Sequence, residues 1–156
     1  MNNHKIGIDI GGTKTIIGIV DVYKGKVIEK KIIESKLHKN DNKNLLNITN
    51  TCLELLDIAK RKYKLKINQI GLGIPELIDN NGIIKGSYNF NWKNLSFKQH
   101  FKKYNLYAIA DSDVRNHIRG EKLYGNGKKF ENLIYINVGT GLSYSHYKEN
   151  KIYSGY

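Results

Sequence analysis

The feature that most constrains this 156-residue chain is a double glycine between two apolar segments near its N-terminus. Residues 5–10 and 15–22 are rich in isoleucine and valine, and only Gly11, Gly12, Thr13 and Lys14 separate them. No helix fits into so short a gap, so the pattern predicts a strand, a tight turn and a second strand. Because glycine tolerates positive φ and lets the backbone approach a ligand closely, successive N–H groups of this turn can face an anion. The turn is therefore a candidate phosphate site, although an ordinary hairpin turn is the simpler alternative.

The side chains around the double glycine favour the phosphate interpretation. Asp9 precedes the turn, while Thr13 and Lys14 add a hydroxyl and a cation after the glycines. The segment matches neither G-x-x-x-x-G-K-[ST] nor a G-x-G-x-x-G that opens a helix, so a nucleotide would be held in another way. A weaker copy follows later in the chain, where Gly139-Thr140-Gly141 separates two predicted strands at residues 133–138 and 142–147.

Composition excludes several classes of protein. The sequence offers neither a signal-peptide apolar region nor an apolar stretch long enough for a membrane, so we expect a cytoplasmic protein without a membrane partner. The single cysteine, Cys52, cannot form an intrachain disulfide, and the five histidines, His117 among them, show no metal-ligand spacing and are expected to be surface or structural residues. The net charge of +12 would suit nucleic acid, but the lysines are spread over the whole chain and no nucleic-acid-binding module is recognisable. We therefore expect no specific nucleic-acid partner, and a basic surface that attracts a phosphate-bearing small molecule.

The remaining hydrophobic periodicities predict an α/β lobe. Strands are expected at residues 27–35, 70–74 and 106–110, with a small strand at 83–84, a long amphipathic helix at 44–63, a short helix capped by Ser96, and a helix from Asp111 to about Tyr124. The order β-β-β-α-β-α-β-α is that of a ribonuclease-H-like unit with a mixed sheet and helices on its faces. We predict such a lobe over residues 1–125 and the first strands of a second, truncated lobe over residues 126–156.

Four segments in this order make the chain resemble the ROK family (repressor, open reading frame, kinase) of sugar kinases, in the actin-like ATPase superfamily. They are residues 9–14, residues 71–75 with the later Asn89 and Trp92, residues 112–121, and residues 139–141. The resemblance implies an actin-like ATPase fold, of which this chain is the N-terminal half. It also implies ATP-dependent phosphorylation of a hexose or N-acetylhexosamine hydroxyl, with Mg²⁺ as the cofactor.

The resemblance further implies a role for each matched residue. Asp113 is the expected catalytic base and sugar ligand, kept ionised by the helix N-terminus, and Asn89 and Ser112 are the expected sugar ligands beside it. Asp111 competes for the role of the base, and a helix cap is the alternative role of Asp113. Asp9 is expected to orient Mg²⁺ through water. The residues expected at the nucleotide phosphates are Asp9, Gly11, Gly12, Thr13, Lys14, Gly139, Thr140 and Gly141.

Several residues depart from the family pattern, mostly on the sugar side. Glu76 stands where the family usually has glycine, and Tyr88 stands where a proline precedes the sugar-binding asparagine. Ser112 and Arg115 replace asparagines on either side of Asp113. The family's Glu-x-Gly-His sugar ligands and its zinc segment have no match in this sequence, so no zinc site is expected within the chain. The second glycine turn is followed by serines in place of glycines, at Ser143 and Ser145.

Two other functions stay open on the sequence alone. One is a ROK-type sugar-sensing regulator, which the absence of a helix-turn-helix before the first strand disfavours. The other is a degenerate or truncated sugar- or nucleotide-binding fragment without activity, which the altered sugar side favours. A hairpin over residues 133–156 with unpaired strand edges also predicts self-association, so we expect a homo-oligomer.

Overall fold

The computed structural model describes residues 3–35, 41–86, 88–139 and 141–153, and contains two sheets. The strands of the first sheet are β1 His4–Ile10, β2 Lys14–Asp21, β3 Lys26–Glu34, β4 Gln69–Ile74 and β5 Tyr107–Ser112. The helices are α1 Asp41–Tyr63, α2 Phe97–Lys102 and α3 Asp113–Leu123, followed by a 3-10 helix at Asn126–Lys129. The strands of the second sheet are β6 Leu133–Val138, β7 Leu142–Lys148 and β8 Lys151–Tyr153.

The first sheet is mixed and has the strand order β3-β2-β1-β4-β5. β1 pairs antiparallel with β2, and β2 with β3, whereas β4 runs parallel to both β1 and β5. The parallel return of β4 after α1 is the crossover that a strand-helix-strand segment normally makes. The predicted α/β, ribonuclease-H-like architecture with a mixed sheet is therefore confirmed.

The core lies between this sheet and the helices. Alternate residues of β1 (Ile6, Ile8 and Ile10) are buried, as expected for side chains that share one face of a strand. Helix α1 contacts β2 and β3, and it buries a stripe of residues three and four positions apart. The residues of that stripe are Ile48, Cys52, Leu55 and Ala59.

The connection between β4 and α2 has an aromatic core of its own. Phe90 stacks on Trp92 with 4.2 Å between ring centroids, and the edge of Phe97 meets Trp92 at 5.7 Å. Ser96 caps α2 by accepting a hydrogen bond from the N–H of Gln99, as the sequence predicts. Residues 83–84 form isolated bridges instead of the small strand that the sequence predicts. The described residues of this connection therefore pack into the lobe, which fixes where their polar side chains lie.

Strand β5 continues further than the sequence predicts, and this defines the edge where the site lies. The parallel register pairs Asp9 with Gly73 and Gly73 with Asp111, so the ends of three strands lie side by side. Because Asp111 and Ser112 complete β5, α3 begins at Asp113, two residues after the predicted start. Polar residues at strand ends are thereby gathered at one edge of the sheet.

The second sheet has one face toward α3 and one face toward solvent. Helix α3 contacts both β6 and β7. The opposite face, which we call the outer face, is apolar and exposed, and Ile136 at its centre is 61% exposed. Its residues are Ile134, Ile136, Val138, Leu142 and Tyr144. None of the helices in the described part of the chain is both long enough and apolar enough to cross a membrane.

Candidate functional site

The strand ends, the start of α3 and the second sheet border a cavity of about 920 Å³. Lys14 is exposed and lies away from the cavity wall, as does Gly139, and Thr140 lies outside the described residues. The structure thus brings residues from both glycine turns to the same cavity as the expected base and sugar ligands. The expected site residues that line it are Asp9, Gly11, Gly12, Thr13, Asn89, Ser112, Asp113 and Gly141.

The first glycine turn is tightly closed. The N–H of Gly11 donates to the carbonyl of Lys14 at 2.9 Å, and the carbonyl of Thr13 accepts the N–H of Ser35 at 2.9 Å. A Cβ on Gly11 would lie 2.9 Å from the Lys14 carbonyl oxygen, so a side chain cannot be placed there without moving the backbone. Gly11 does not have a positive φ. The turn therefore needs glycine at this position for space, and not for the positive φ that the sequence argument invoked.

The second glycine turn is open. The N–H of Gly139 donates to the carbonyl of Gly141 at 3.0 Å, and a Cβ on either glycine would meet no atom within 4 Å. Ser143 and Ser145, which stand in place of glycines after this turn, both line the cavity. The space beside Gly139 and Gly141 is therefore open among the described residues, while the strand that follows adds the side chains of Ser143 and Ser145 to the cavity wall.

Asp113 begins α3 and lies close to Asp9 across a glycine. A Cβ on Gly73 would lie 3.3 Å from Asn116 Nδ2, 3.4 Å from the Cα of Asp113 and 3.6 Å from Asp9 Oδ1, so Gly73 separates the start of α3 from the Asp9 carboxylate. Burial raises the pKa of Asp113, and the charge of Asp9 raises it further, while the N–H of Val114 and nearby His117 lower it. The effect of burial on this pKa is larger than that of the hydrogen bond from the Val114 N–H at the start of α3. A raised pKa brings a carboxylate closer to neutral pH, where a general base works best.

Asp111, the competing candidate, is held by two arginines. Its Oδ1 accepts a hydrogen bond from Arg115 at 2.8 Å, and its Oδ2 forms an ion pair with Arg119 at 2.5 Å. Arg115 also donates to the carbonyl of Ile78 at 3.3 Å, which ties α3 to the connection after β4. Both carboxylate oxygens of Asp111 are engaged, which supports Asp113 as the reactive carboxylate.

Ser112 is the N-cap of α3. Its backbone is extended, and its hydroxyl accepts a hydrogen bond from the N–H of Arg115 at 3.3 Å. The helix cap that the sequence left open as the alternative role of Asp113 is therefore provided by Ser112. Ser112 also lines the cavity, beside the carboxylate of Asp113.

Asn89 is held by the two residues that follow β4. Its side-chain Nδ2 donates to the carbonyl of Pro75 at 2.5 Å, and its N–H donates to Glu76 Oε1 at 2.7 Å. Glu76 is only 5% exposed, and its carboxylate also accepts the N–H groups of Tyr88 and Phe90 at 2.7 Å each. The sequence marked Glu76 as unusual but gave it no role.

His117 and Ser145 line the cavity, although the sequence did not indicate a role for either of them in the site. His117 was expected to be a surface or structural residue, yet it lines the cavity with its ring 5.4 Å from that of Tyr135. His117 Nδ1 and Ser145 Oγ are the buried side-chain polar atoms without a hydrogen-bond partner among the described residues. The four-residue spacing from Asp113 to His117, which places both on one face of a helix, was the available signal.

Comparisons with known proteins agree on one family. A family model described as the ROK family matches residues 5–156. The glucokinase of Thermotoga maritima is 30% identical to this chain over 88% of the chain and 42% of the relative. A xylose repressor of Caldicellulosiruptor bescii is 29% identical over 96% of the chain and 38% of the relative. A solved ROK family glucokinase from Streptomyces griseus, in complex with glucose and AMPPNP, has a TM-score of 0.82 at 22% identity and covers 98% of this chain and 47% of that one.

The structural likeness concerns the fold, which is that of the actin-like ATPases. The chain spans less than half the length of the curated relatives just described, and these include both a glucokinase and a repressor. The family model, in contrast, extends over nearly the whole chain. The chain therefore belongs to the ROK family.

Proposed function

We propose that this protein is a sugar kinase of the ROK type, which transfers the γ-phosphoryl group of ATP to a hydroxyl of a hexose or N-acetylhexosamine. The observation that carries the proposal is the position of the Asp113 carboxylate in the same cavity as the first glycine turn. Its Oδ1 accepts the N–H of Val114 at 2.8 Å, and within the described residues it forms no ion pair, unlike the carboxylate of Asp111. The glucokinase relative and the neighbouring structure that holds glucose and AMPPNP support it. We place the reaction in the cytoplasm, with ATP and a sugar as partners and no specific nucleic acid. We propose residues 1–125 as one lobe and residues 126–156 as the start of a second.

The nucleotide side of the proposed site is the pair of glycine turns. The N–H groups of Gly12 and Thr13 and the hydroxyl of Thr13 bind phosphate oxygens, while Gly11 closes the turn by donating its N–H to the Lys14 carbonyl. We assign Gly139, Thr140 and Gly141 to the second phosphate turn, in which Gly141 lines the cavity and Gly139 donates its N–H within the turn. Lys14 adds positive charge from outside the cavity wall. Preorganised N–H groups suit this task because phosphoryl transfer depends mainly on positioning and charge stabilisation.

We propose Asp9 as the residue that would orient a magnesium ion. This carboxylate is exposed at the cavity, and in the described part of the chain no group of three or more histidine, cysteine, aspartate or glutamate residues could hold a metal. Most ligands must then be water and phosphate oxygens, which Mg²⁺ accepts readily. When bound, Mg²⁺ neutralises phosphate charge. Asp9 orients one of its water molecules.

The sugar side supplies the base and its alignment. Asp113 accepts the proton of a sugar hydroxyl while the hydroxyl oxygen bonds to the γ-phosphorus and the bond from phosphorus to ADP breaks. Asn89 and Ser112 orient the sugar beside it. Asp111 contributes indirectly, because its ion pair with Arg115 holds the first turn of α3.

A sugar-sensing regulator, or a fragment that binds ligands without transfer, is the second candidate. The xylose repressor relative supports the first form, and the side chains of Ser143 and Ser145, where the family has glycines, support the second. In both forms the cavity binds a ligand and transfers no phosphoryl group.

A coupled kinase assay over a panel of hexoses and N-acetylhexosamines, combined with calorimetry of a Mg²⁺-ATP analogue, tests the proposal. We expect turnover of at least one sugar, abolished in Asp113→Asn, and weak nucleotide binding that this variant retains. Sugar binding without turnover would favour the second candidate.

A further inference from the structure

We propose that Glu76 is a positioning residue for Asn89, and that Glu76 and Tyr88 form a matched pair that fixes residues 88–90 against the end of β4. The inference rests on the proposed role of Asn89 as a sugar ligand. It assigns a role to a buried carboxylate that the kinase mechanism does not otherwise use.

The carboxylate of Glu76 acts as a clamp on the backbone. Its Oε1 accepts the N–H groups of Asn89 and Phe90, and its Oε2 accepts that of Tyr88, all at 2.7 Å. An ionised carboxylate offers about four acceptor positions, so three of them are filled by consecutive backbone donors. Hydrogen bonds to an ionised, buried acceptor are among the strong ones in proteins. Glu76 is thus committed to holding the loop and is not a second base or a metal ligand.

Asn89 is restrained from three directions. Its N–H is bound by Glu76, and its side-chain Nδ2 is bound by the carbonyl of Pro75. The following residue, Phe90, is fully buried and stacks on Trp92. The amide oxygen of Asn89 takes part in neither of its two hydrogen bonds, so it stays available to a sugar hydroxyl. A shift of the backbone at residues 88–90 would move this oxygen directly.

Glu76 and Tyr88 depend on each other for a simple reason. Tyr88 donates its N–H to Glu76, whereas a proline at this position would have no N–H to donate. These are also two of the positions at which the chain departs from the family pattern of glycine and proline. A proline restricts the backbone through its ring, whereas here the Glu76 carboxylate restricts it by accepting three backbone N–H groups. We therefore infer that the two changes compensate for each other.

A double-mutant cycle tests the pair, with sugar affinity by calorimetry as the readout. We expect Glu76→Gly and Glu76→Gln to weaken binding of the best sugar of the panel about tenfold or more. Glycine removes both acceptor oxygens, whereas glutamine keeps one oxygen and turns a donor NH2 group toward a backbone N–H. Tyr88→Pro should weaken it strongly in the wild-type background but should restore part of the lost affinity in Glu76→Gly. Tyr88→Ala keeps the backbone N–H, so it should lose less sugar affinity than Tyr88→Pro. Glu121→Gln is the matched control, since Glu121 also accepts a loop N–H, that of Asn126 at 3.2 Å, away from the cavity.

Two further measurements separate positioning from general damage. Hydrogen exchange should become faster at the amides of residues 88–90 in Glu76→Gln, while affinity for a Mg²⁺-ATP analogue stays within about twofold of wild type, since the first glycine turn is untouched. Circular dichroism reports whether each variant is folded. If Glu76→Gln fails to fold, the contrast of Tyr88→Pro with Tyr88→Ala decides the question.

The outcomes distinguish this inference from the function on which it rests. If Asn89→Ala abolishes sugar binding while Glu76→Gln and Tyr88→Pro leave it unchanged, Glu76 does not position Asn89. Additive losses in Glu76→Gly and Tyr88→Pro, with no recovery in the double variant, would overturn the matched pair. If Asn89→Ala leaves sugar affinity unchanged, or if no sugar binds, the proposed sugar site itself is wrong and the positioning role falls with it.

Discussion

Asp111 and Asp113 should respond to the same substitution in opposite ways. Asp113→Asn removes the proposed base, so kcat should fall by about two orders of magnitude or more, with little change in nucleotide affinity. Asp111→Asn leaves that base in place, so its main effect should be on stability. The two residues are two positions apart, yet one variant should be inactive and stable and the other active and less stable.

The stability loss of Asp111→Asn follows from its two ion pairs. The Asp111 and Arg115 side chains are 15% and 17% exposed, so the variant leaves a largely buried guanidinium without its counter-charge. Breaking a fully buried pair costs about 3–5 kcal/mol, whereas an exposed pair such as that with Arg119 contributes less than about 1 kcal/mol. Because both pairs are partly exposed, we expect Asp111→Asn to lower the free energy of unfolding by about 2 kcal/mol in total. For a chain of this length that lowers Tm by about 4–8 °C.

Asp113→Asn should not be destabilised at neutral pH. Burial raises the pKa of Asp113 in the folded state above its ordinary value of 3.8, so the folded protein holds this proton more tightly than the unfolded chain does. The wild type therefore loses stability as the pH rises through the folded pKa, and the asparagine variant does not. We expect the Tm of Asp113→Asn to equal or exceed that of wild type near about pH 7, and the advantage to vanish below the unfolded pKa.

Thermal unfolding of the wild type and the two variants by circular dichroism, at about pH 3 and about pH 7, together with the kinase assay, measures both effects. Asp111→Asn should have the lower Tm and Asp113→Asn the lower kcat. If Asp111→Asn instead loses catalysis with its stability intact, the catalytic segment has been assigned to the wrong aspartate.

Three further outcomes are expected. Gly11→Ala should lower both Tm and nucleotide affinity, because the new Cβ would lie 2.9 Å from the Lys14 carbonyl oxygen. Gly139→Ala should leave Tm unchanged, because its Cβ would meet no atom within 4 Å. Thermal unfolding measures the two Tm values, and calorimetry measures the nucleotide affinity. Cys52 should resist iodoacetamide in the native protein, because burial raises the pKa of its thiol to about 12, and mass spectrometry should find it alkylated only after unfolding. The 156-residue chain should self-associate through its apolar outer face, and Ile136→Lys should reduce the sedimentation coefficient; a monodisperse wild-type monomer would contradict this.

Much of the lobe follows from local patterns. The buried stripe of α1 at Ile48, Cys52, Leu55 and Ala59 was visible as helical periodicity, and the cap of α2 was visible as Ser96 before an apolar residue. Both signals depend on residues only a few positions apart, so they can be recognised without knowledge of the rest of the fold. The order of strands and helices along the chain was predictable because each segment has the length and composition typical of a strand or a helix.

The details of the site depend on contacts that local patterns do not contain. Strand β5 gains its last two residues because Asp111 and Ser112 pair with Gly73 and Ile74, about forty residues earlier in the chain. That extension decides which residue caps α3 and which of the two aspartates is paired with the arginines of α3. The clamp by Glu76 joins residues 12 to 14 positions apart, and the burial that raises the pKa of Asp113 comes from the assembled lobe. Such features follow from tertiary packing.

The most direct test of the account is residue-resolved NMR of the isotope-labelled chain, titrated first with a Mg²⁺-ATP analogue and then with a neutral hexose or N-acetylhexosamine. We expect the nucleotide to shift the backbone amide signals of Gly11, Gly12 and Gly141, and the sugar to shift those of Asn89 and Asp113. Together these shifts would locate both ligands in the cavity at the ends of β1 and β4. Shifts confined to other surfaces, or no shift with either ligand, would contradict the assignment of this cavity as a sugar-kinase site.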